Sequence, residues 1–189
     1  LLQSSVNSFG SVAMAGYTAA NNILGFLYVS INAVTQACMS FTSQNYGAGD
    51  LKRVNKITRV CLLTVAAVGL ILGNLIYIFS DKLLGIYIPD SPDAIRYGLE
   101  RLKFMLIPYF LCGIMDTITG SMRGIGSSVV PMIITVMGVC VMRIVWIYTV
   151  FTMPQYHTFS GLFISYPISW FLTFAAVFVA YLITMQKRN

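Results

Sequence analysis

Of the 189 residues only 12 are Lys or Arg and 6 are Asp or Glu, so charged residues make up 10% of the chain, far below the roughly 25% of a soluble globular domain. Hydrophobic residues reach 57% and the mean hydropathy is +0.77, more apolar surface than a single core of this length can hide from water. These figures exclude an ordinary soluble domain and make lipid the solvent for most of the chain. The net charge of +6 sits in a few clusters between long uncharged runs with no aromatic-basic stripe, which argues against nucleic acid as a partner.

A bilayer core about 30 Å thick needs about 20 apolar residues per helix, and uncharged stretches of that length predict five full crossings plus the tail of a sixth helix. The chain opens at Leu1 without an initiator methionine, and its first 49 residues carry no charge; it reads as a lobe cut from a longer protein, N-terminally truncated, with no signal-peptide n-region. The cluster Asn7, Ser8, Phe9, Gly10, Ser11 breaks this run. A helix is expected over residues 12–46, stopping at Asn45-Tyr46-Gly47-Ala48-Gly49-Asp50. Lys52, Arg53, Lys56 and Arg59 precede a second crossing over 60–79, and Asp81, Lys82, Pro89, Asp90, Pro92 and Asp93 mark a loop. Arg96, Glu100, Arg101 and Lys103 are expected on a solvated surface turn leading into a crossing over 104–122, kinked at Pro108 because proline lacks a backbone donor and crowds the preceding turn. Crossings over 128–151 and 159–185 come next, the first with Pro131 in its opening turn, the second containing Pro167. The fold class is all-α: one transmembrane helix bundle over residues 1–189.

With alternating crossings, Lys52, Arg53, Lys56, Arg59, Arg123, Lys187 and Arg188 fall on one side, and Lys82, Arg96, Arg101 and Lys103 on the other. Positive charge collects on the cytoplasmic side, so the first set and the C-terminus are expected in the cytoplasm.

Asp116 and Arg143 are the two charges expected inside the bilayer, where each costs roughly 2.5 to 3.5 kcal/mol even on insertion scales. Asp116 lies about 18 Å below one boundary and Arg143 about 22 Å above the other, depths about 10 Å apart. They can pair if the helix ends shift; the simpler expectation has Arg143 snorkelling outward and Asp116 facing an internal cavity. Asp116 is then either a protonatable or cation-binding carboxylate or a structural hydrogen-bonding group; Arg143 is an anchor, an ion-pair partner or a functional cation. Asn21, Asn32 and Gln36 share roughly one helix face by their spacing of 11 and 4, able to line a wet cavity or to bind a neighbouring helix; Asn74 carries the same two readings. Gly69 and Gly73 form a G-x-x-x-G packing pair. Ten Met and the aromatic residues suit either an adaptable surface for apolar cations or lipid and core packing. Cys38, Cys61, Cys112 and Cys140 lie far apart inside apolar runs with no C-x-x-C pair, which argues against a metal site or disulfide scaffold. His157 falls in a short loop, and no hydrolase, metalloprotease or phosphate-loop motif occurs.

The segment Gln44-Asn45-Tyr46-Gly47-Ala48-Gly49-Asp50-Leu51-Lys52-Arg53 resembles the connection after the second helix of a lobe in the multidrug and toxic compound extrusion (MATE) family. Likewise Gly120-Ser121-Met122-Arg123-Gly124-Ile125-Gly126-Ser127-Ser128-Val129-Val130-Pro131 resembles that family's "RG-x-G…P" connection between the fourth and fifth helices. The resemblance implies the C-terminal half of a twelve-helix antiporter in the cell membrane, exporting drugs or organic cations in exchange for protons or sodium. It implies no cofactor and no enzyme activity, and as partners it implies organic substrates, membrane lipid and an N-terminal lobe of the same chain. Asp116 falls where members often carry a coupling carboxylate, and protonation there would release substrate outward; Gly47, Gly49, Gly124 and Gly126 would form tight turns, and Arg53 and Arg123 would cap helix ends. Two alternatives are a lipid-linked oligosaccharide exporter or flippase, which predicts more basic residues inside the cavity, and a membrane-embedded enzyme, which needs a reactive His, Ser or Cys set at membrane depth.

Overall fold

The computed structural model describes residues 2–188. After a short α1 (Leu2–Asn7) and a break at Gly10, whose φ of 95° lies in the left-handed region, α2 (Ser11–Gly47) runs for 37 residues. Helix α3 (Leu51–Ile78) starts nine residues before the expected apolar core, because the Asp50 carboxylate accepts a hydrogen bond from the Arg53 backbone N–H at 2.9 Å and caps it. The basic cluster Lys52 to Arg59 is therefore the first two turns of a helix rather than a connection. A short α4 (Ser80–Tyr87) occupies part of the expected loop.

Helices α5 (Pro92–Leu106) and α6 (Tyr109–Gly124) form one broken span, bent by 49° at Ile107–Pro108, where a kink was predicted. The fifth crossing is not a plain α-helix. Helix α7 (Val129–Thr135) passes into a π-helical turn, Val136–Val141, and then into α8 (Met142–Tyr148). The last crossing consists of α9 (Phe159–Phe163) and α10 (Ser165–Gln186). Among the described residues four helical stretches are long and apolar enough to cross a membrane, and the bent pair makes a fifth.

Helix α2 is the central element: it packs on α3, α5 and α6, while α10 packs on α6 and on the α7–α8 crossing. Small residues set these distances. Gly16 of α2 meets the backbone of Ala94 and Gly98, and Gly69 and Gly73 of α3 bring the broken span so close that an added Cβ would lie 3.0 Å from Phe110 Cα and 3.1 Å from the Leu106 carbonyl. Interhelical hydroxyl bonds join the layers, Thr58 to Ser121 at 2.7 Å and Thr35 to Thr117 at 3.4 Å. Large apolar side chains such as Phe26, Leu63, Ile71 and Ile86 project outward instead, as a lipid-facing surface requires.

At one end of the bundle Gly49 (φ 77°) and Gly126 (φ 82°) close the two connections whose motifs stood out in the sequence. Gly124 acts differently from the turn role expected of it: it packs against Met39, Thr42 and Ser43 of α2. Gly47 ends α2 with open space around it and no left-handed geometry. Arg53 and Arg123 have exposed side chains, and among the described residues neither makes a side-chain hydrogen bond to a helix end; Arg188 donates to the Ile125 carbonyl just beyond the end of α6, at 2.5 Å.

Candidate functional site

Two arginines and one aspartate converge on one cavity between α2, α5, α6, the α7–α8 crossing and α10. Its volume is about 530 Å³, and Arg101, Asp116 and Arg143 all stand in its wall, with Tyr17, Asn21, Tyr166 and Trp170. A second recess of about 240 Å³ is lined by Asn32, Gln36, Thr119, Arg123 and Thr135, and Asp116, Tyr28 and Thr135 belong to both walls.

Arg101 was expected on a solvated turn, and the structure overturns that. It is 3% exposed, one of the buried positions Ala94, Gly98, Arg101, Leu102, Met105 and Leu106 that repeat along one side of α5. That periodicity was the available signal: Arg101 lies on the apolar stripe, with Arg96 and Lys103 on the exposed one. Its Nη1 donates to the Tyr17 carbonyl at 2.9 Å and its Nη2 to Asn21 Oδ1 at 2.8 Å. The guanidinium lies 3.7 Å from the Tyr17 ring centroid and 5.4 Å from that of Phe163. Stacking and neutral acceptors replace its water.

Arg143 is the second correction. Instead of snorkelling outward it turns in to the cavity, 3.7 Å from the Tyr166 ring centroid and 5.9 Å from that of Trp170, and its Nε donates to Ser169 Oγ at 3.3 Å. Its Nη2 is buried without a hydrogen-bond partner. The π-turn just before it explains the aim. The turn absorbs one residue, so Arg143 faces about 100° away from where counting along a regular α-helix would put it, a displacement that depth arithmetic cannot show.

Asp116 faces the cavity as expected, and the Cys112 thiol, one turn earlier on α6, approaches it at 4.0 Å. Among the described residues it forms no ion pair with Arg143 or Arg101, so the pairing considered from the sequence is not made. The amides divide between the two recesses. Asn21 serves Arg101 in the larger; Asn32 and Gln36, joined at 3.3 Å, line the smaller beside Asp116. Thr119 and Thr135 present hydroxyls there that are buried without a partner. Asn74 bonds to the Leu70 carbonyl of its own helix and takes no part. His157 sits far along the chain in the loop after α8, its Nδ1 3.1 Å from the Phe151 carbonyl and its ring against Phe9 and Phe151.

The MatE family model matches residues 1–149. The probable multidrug resistance protein YoeA of Bacillus subtilis is 23% identical over 186 residues, covering 97% of this chain and 39% of the relative. The probable multidrug resistance protein NorM of Thermotoga maritima is 24% identical over 135 residues, covering 71% and 29%. The chain thus spans about two fifths or less of the length of these relatives. Among solved structures, a MATE protein in complex with MaL6 superposes with a TM-score of 0.87 at 17% identity, covering 99% of this chain and 42% of that one. The Vibrio cholerae MATE transporter VcmN in its bent form gives 0.85 at 18% identity, with 98% and 42% covered.

Proposed function

The chain belongs to the MatE family of multidrug and toxic compound extrusion transporters, integral membrane proteins rather than enzymes, and from that premise we propose that it forms the C-terminal six-helix lobe of a secondary antiporter in the cell membrane. It exports drugs or organic cations in exchange for protons or sodium, and its C-terminus is cytoplasmic. Its partners are the small organic substrate, membrane lipid and an N-terminal lobe of the same chain.

One observation carries the reading. Asp116 stands where the larger cavity meets a recess lined by Asn32, Gln36, the unpartnered hydroxyls of Thr119 and Thr135 and, as its one cationic group, Arg123. Carboxylate, amide and hydroxyl oxygens suit a hard monovalent cation, and a lone carboxylate at membrane depth suits a proton. A coupling cation held there shares the Asp116 wall with the substrate cavity, so occupancy of one bears on the other through the charge of a single group. Moving one proton inward across 100 mV yields about 2.3 kcal/mol, roughly a 50-fold gradient of a neutral substrate; one-for-one exchange with a monovalent organic cation moves no net charge, and the ion's own concentration gradient then drives export. Rocking of the two lobes, with the 49° bend at Pro108 as a flexing point, would expose the cavity alternately to each side.

The test is efflux of a fluorescent organic cation from cells expressing the complete protein, with the proton and sodium gradients collapsed one at a time. Loss of efflux with one gradient names the ion. Asp116→Asn is expected to reduce gradient-driven efflux by about tenfold or more; coupled export that survives this substitution would overturn the role given to Asp116.

A second reading has one observation in its favour. A lipid-linked oligosaccharide exporter predicts basic residues inside the cavity, and Arg101 joins Arg143 there. Absence of organic-cation efflux under every gradient would favour it.

A further inference from the structure

Arg101 and Arg143 place two positive charges in the wall of one cavity, against a single carboxylate, Asp116, that pairs with neither. Cations taken out of water are ordinarily matched by a counter-charge. Here every acceptor supplied is neutral: the Tyr17 carbonyl and Asn21 for Arg101, Ser169 for Arg143. Arg143 Nη2 and Arg101 Nε, both buried, have no acceptor at all. With Asp116 ionised the wall still carries one net positive charge, and with Asp116 neutral it carries two.

Both charges rest against the aromatic wall. Each guanidinium lies 3.7 Å from a ring centroid, Arg101 over Tyr17 and Arg143 over Tyr166, and the rings continue from Tyr17 to Phe163, Tyr166 and Trp170 with centroids 5.7 to 6.3 Å apart. A guanidinium is a planar fork of N–H donors, and a planar oxyanion can take two of them at once. Arg101 has committed both terminal nitrogens to holding its place. Arg143 has committed only Nε, and among the described residues neither terminal nitrogen has an acceptor.

We propose that Arg143, with the field of Arg101 beside it, is the seat of an oxyanion, a carboxylate or phosphate carried by the transported molecule, whose apolar or aromatic body lies along the Tyr166–Trp170 wall. The proposal rests on reading this cavity as the substrate's path, and it extends the substrate class from organic cations to amphoteric and anionic compounds.

The test uses the complete protein, purified in detergent, and two probes that differ only in the anionic group: a xanthene dye with a free carboxylate and its methyl ester. Fluorescence polarisation is expected to show the acid bound about tenfold more tightly than the ester, the scale of one charge-assisted fork. In Arg143→Gln the acid-to-ester ratio should fall to about one, and in Arg143→Lys, which keeps charge without the fork, it should lie between. A ratio of about one in the unaltered protein, or an unchanged ratio in Arg143→Gln, would overturn the proposal. If Arg143→Gln binds neither dye, Arg143→Lys decides: an undiminished ratio, or one reduced to unity, overturns the fork. If that variant also binds neither, the ratio in the unaltered protein decides. Displacement of the acid dye by polyprenyl phosphate and not by benzoate assigns a lipid phosphate; displacement by benzoate assigns a soluble carboxylate; displacement by neither counts against the seat. Acid-selective binding without export of either dye from cells would overturn the efflux reading and leave the seat standing, whereas export of both dyes without selective binding would do the reverse.

Discussion

The burial of Arg101 is tolerable because helix α2 supplies both of its hydrogen bonds and the ring beneath it. Desolvating a guanidinium costs several kcal/mol, and the offset is the Tyr17 ring beneath it and the two hydrogen bonds to Tyr17 and Asn21. Removing the ring while keeping the volume apolar should expose that cost. Tyr17→Leu is expected to destabilise the complete protein by about 1–2 kcal/mol, the value of a desolvated cation–π contact, read as a lower unfolding temperature in detergent, while Tyr17→Trp should retain most of the stability. Equal melting of the two variants would mean that the ring matters only as bulk. Asp116 was recognisable from the sequence because a carboxylate inside an uncharged run stands out; Arg101 was not, because it lies among surface charges and only the stripe along α5 separates it from them.

Among the elements, the fifth crossing departs most from a regular helix. The π-helical turn Val136–Val141 lies between Thr135, which lines both recesses, and Arg143, which lines one. Deleting Val136 removes the residue that the turn absorbs, so the crossing should become regular α-helix with Arg143 still facing the cavity, and selectivity for the acid dye should persist. Lost selectivity in a folded variant would show that the local geometry of the π-turn itself, beyond the facing of α8, is needed to place the side chain. The crossing of α2 and α5 offers a separate check. A Cβ at Gly16 would collide with the backbone of Ala94 and Gly98, so Gly16→Val is expected to cost about 1–3 kcal/mol or more, measured by thermal unfolding, where the same change at Gly25, which has open space, should cost less. The bend at Pro108 was legible in the sequence because proline acts through its own ring and missing donor. The π-turn was not, since Val136–Val141 contains no breaker that marks it. The early start of α3 was obscured for the opposite reason: a charged first turn reads as a connection until its cap is seen.

For the molecule as a whole, the two motif connections and the C-terminus gather at one end. Arg188 touches Ile125 and, at 4.9 Å, the ring of Tyr46. That end carries Lys52, Arg53, Lys56, Arg59, Arg123, Lys187 and Arg188. The other end loses Arg101 to the cavity and keeps Lys82, Arg96 and Lys103, which widens the asymmetry that predicts a cytoplasmic C-terminus. In a complete protein with Cys38, Cys61, Cys112 and Cys140 replaced by Ser, a cysteine at Gln155→Cys should react with a membrane-impermeant maleimide on intact cells, and one at Gln186→Cys only after permeabilisation. The opposite pattern would invert the topology.

Hydropathy along the chain was enough to establish an all-α membrane bundle, the approximate crossings, the kink at Pro108 and Asp116 as the isolated carboxylate, because the cost of placing a residue in lipid depends on the residue and the length of its run. The two connections bearing Gly49 and Gly126 were enough for the family. Packing alone decided that Arg101 is buried, that Arg143 turns inward, and that Asp116 joins two recesses. Which side of a helix meets a neighbour, and where a π-turn absorbs a residue and so shifts which later residues face the cavity, are properties of several segments together and have no signature in any one of them.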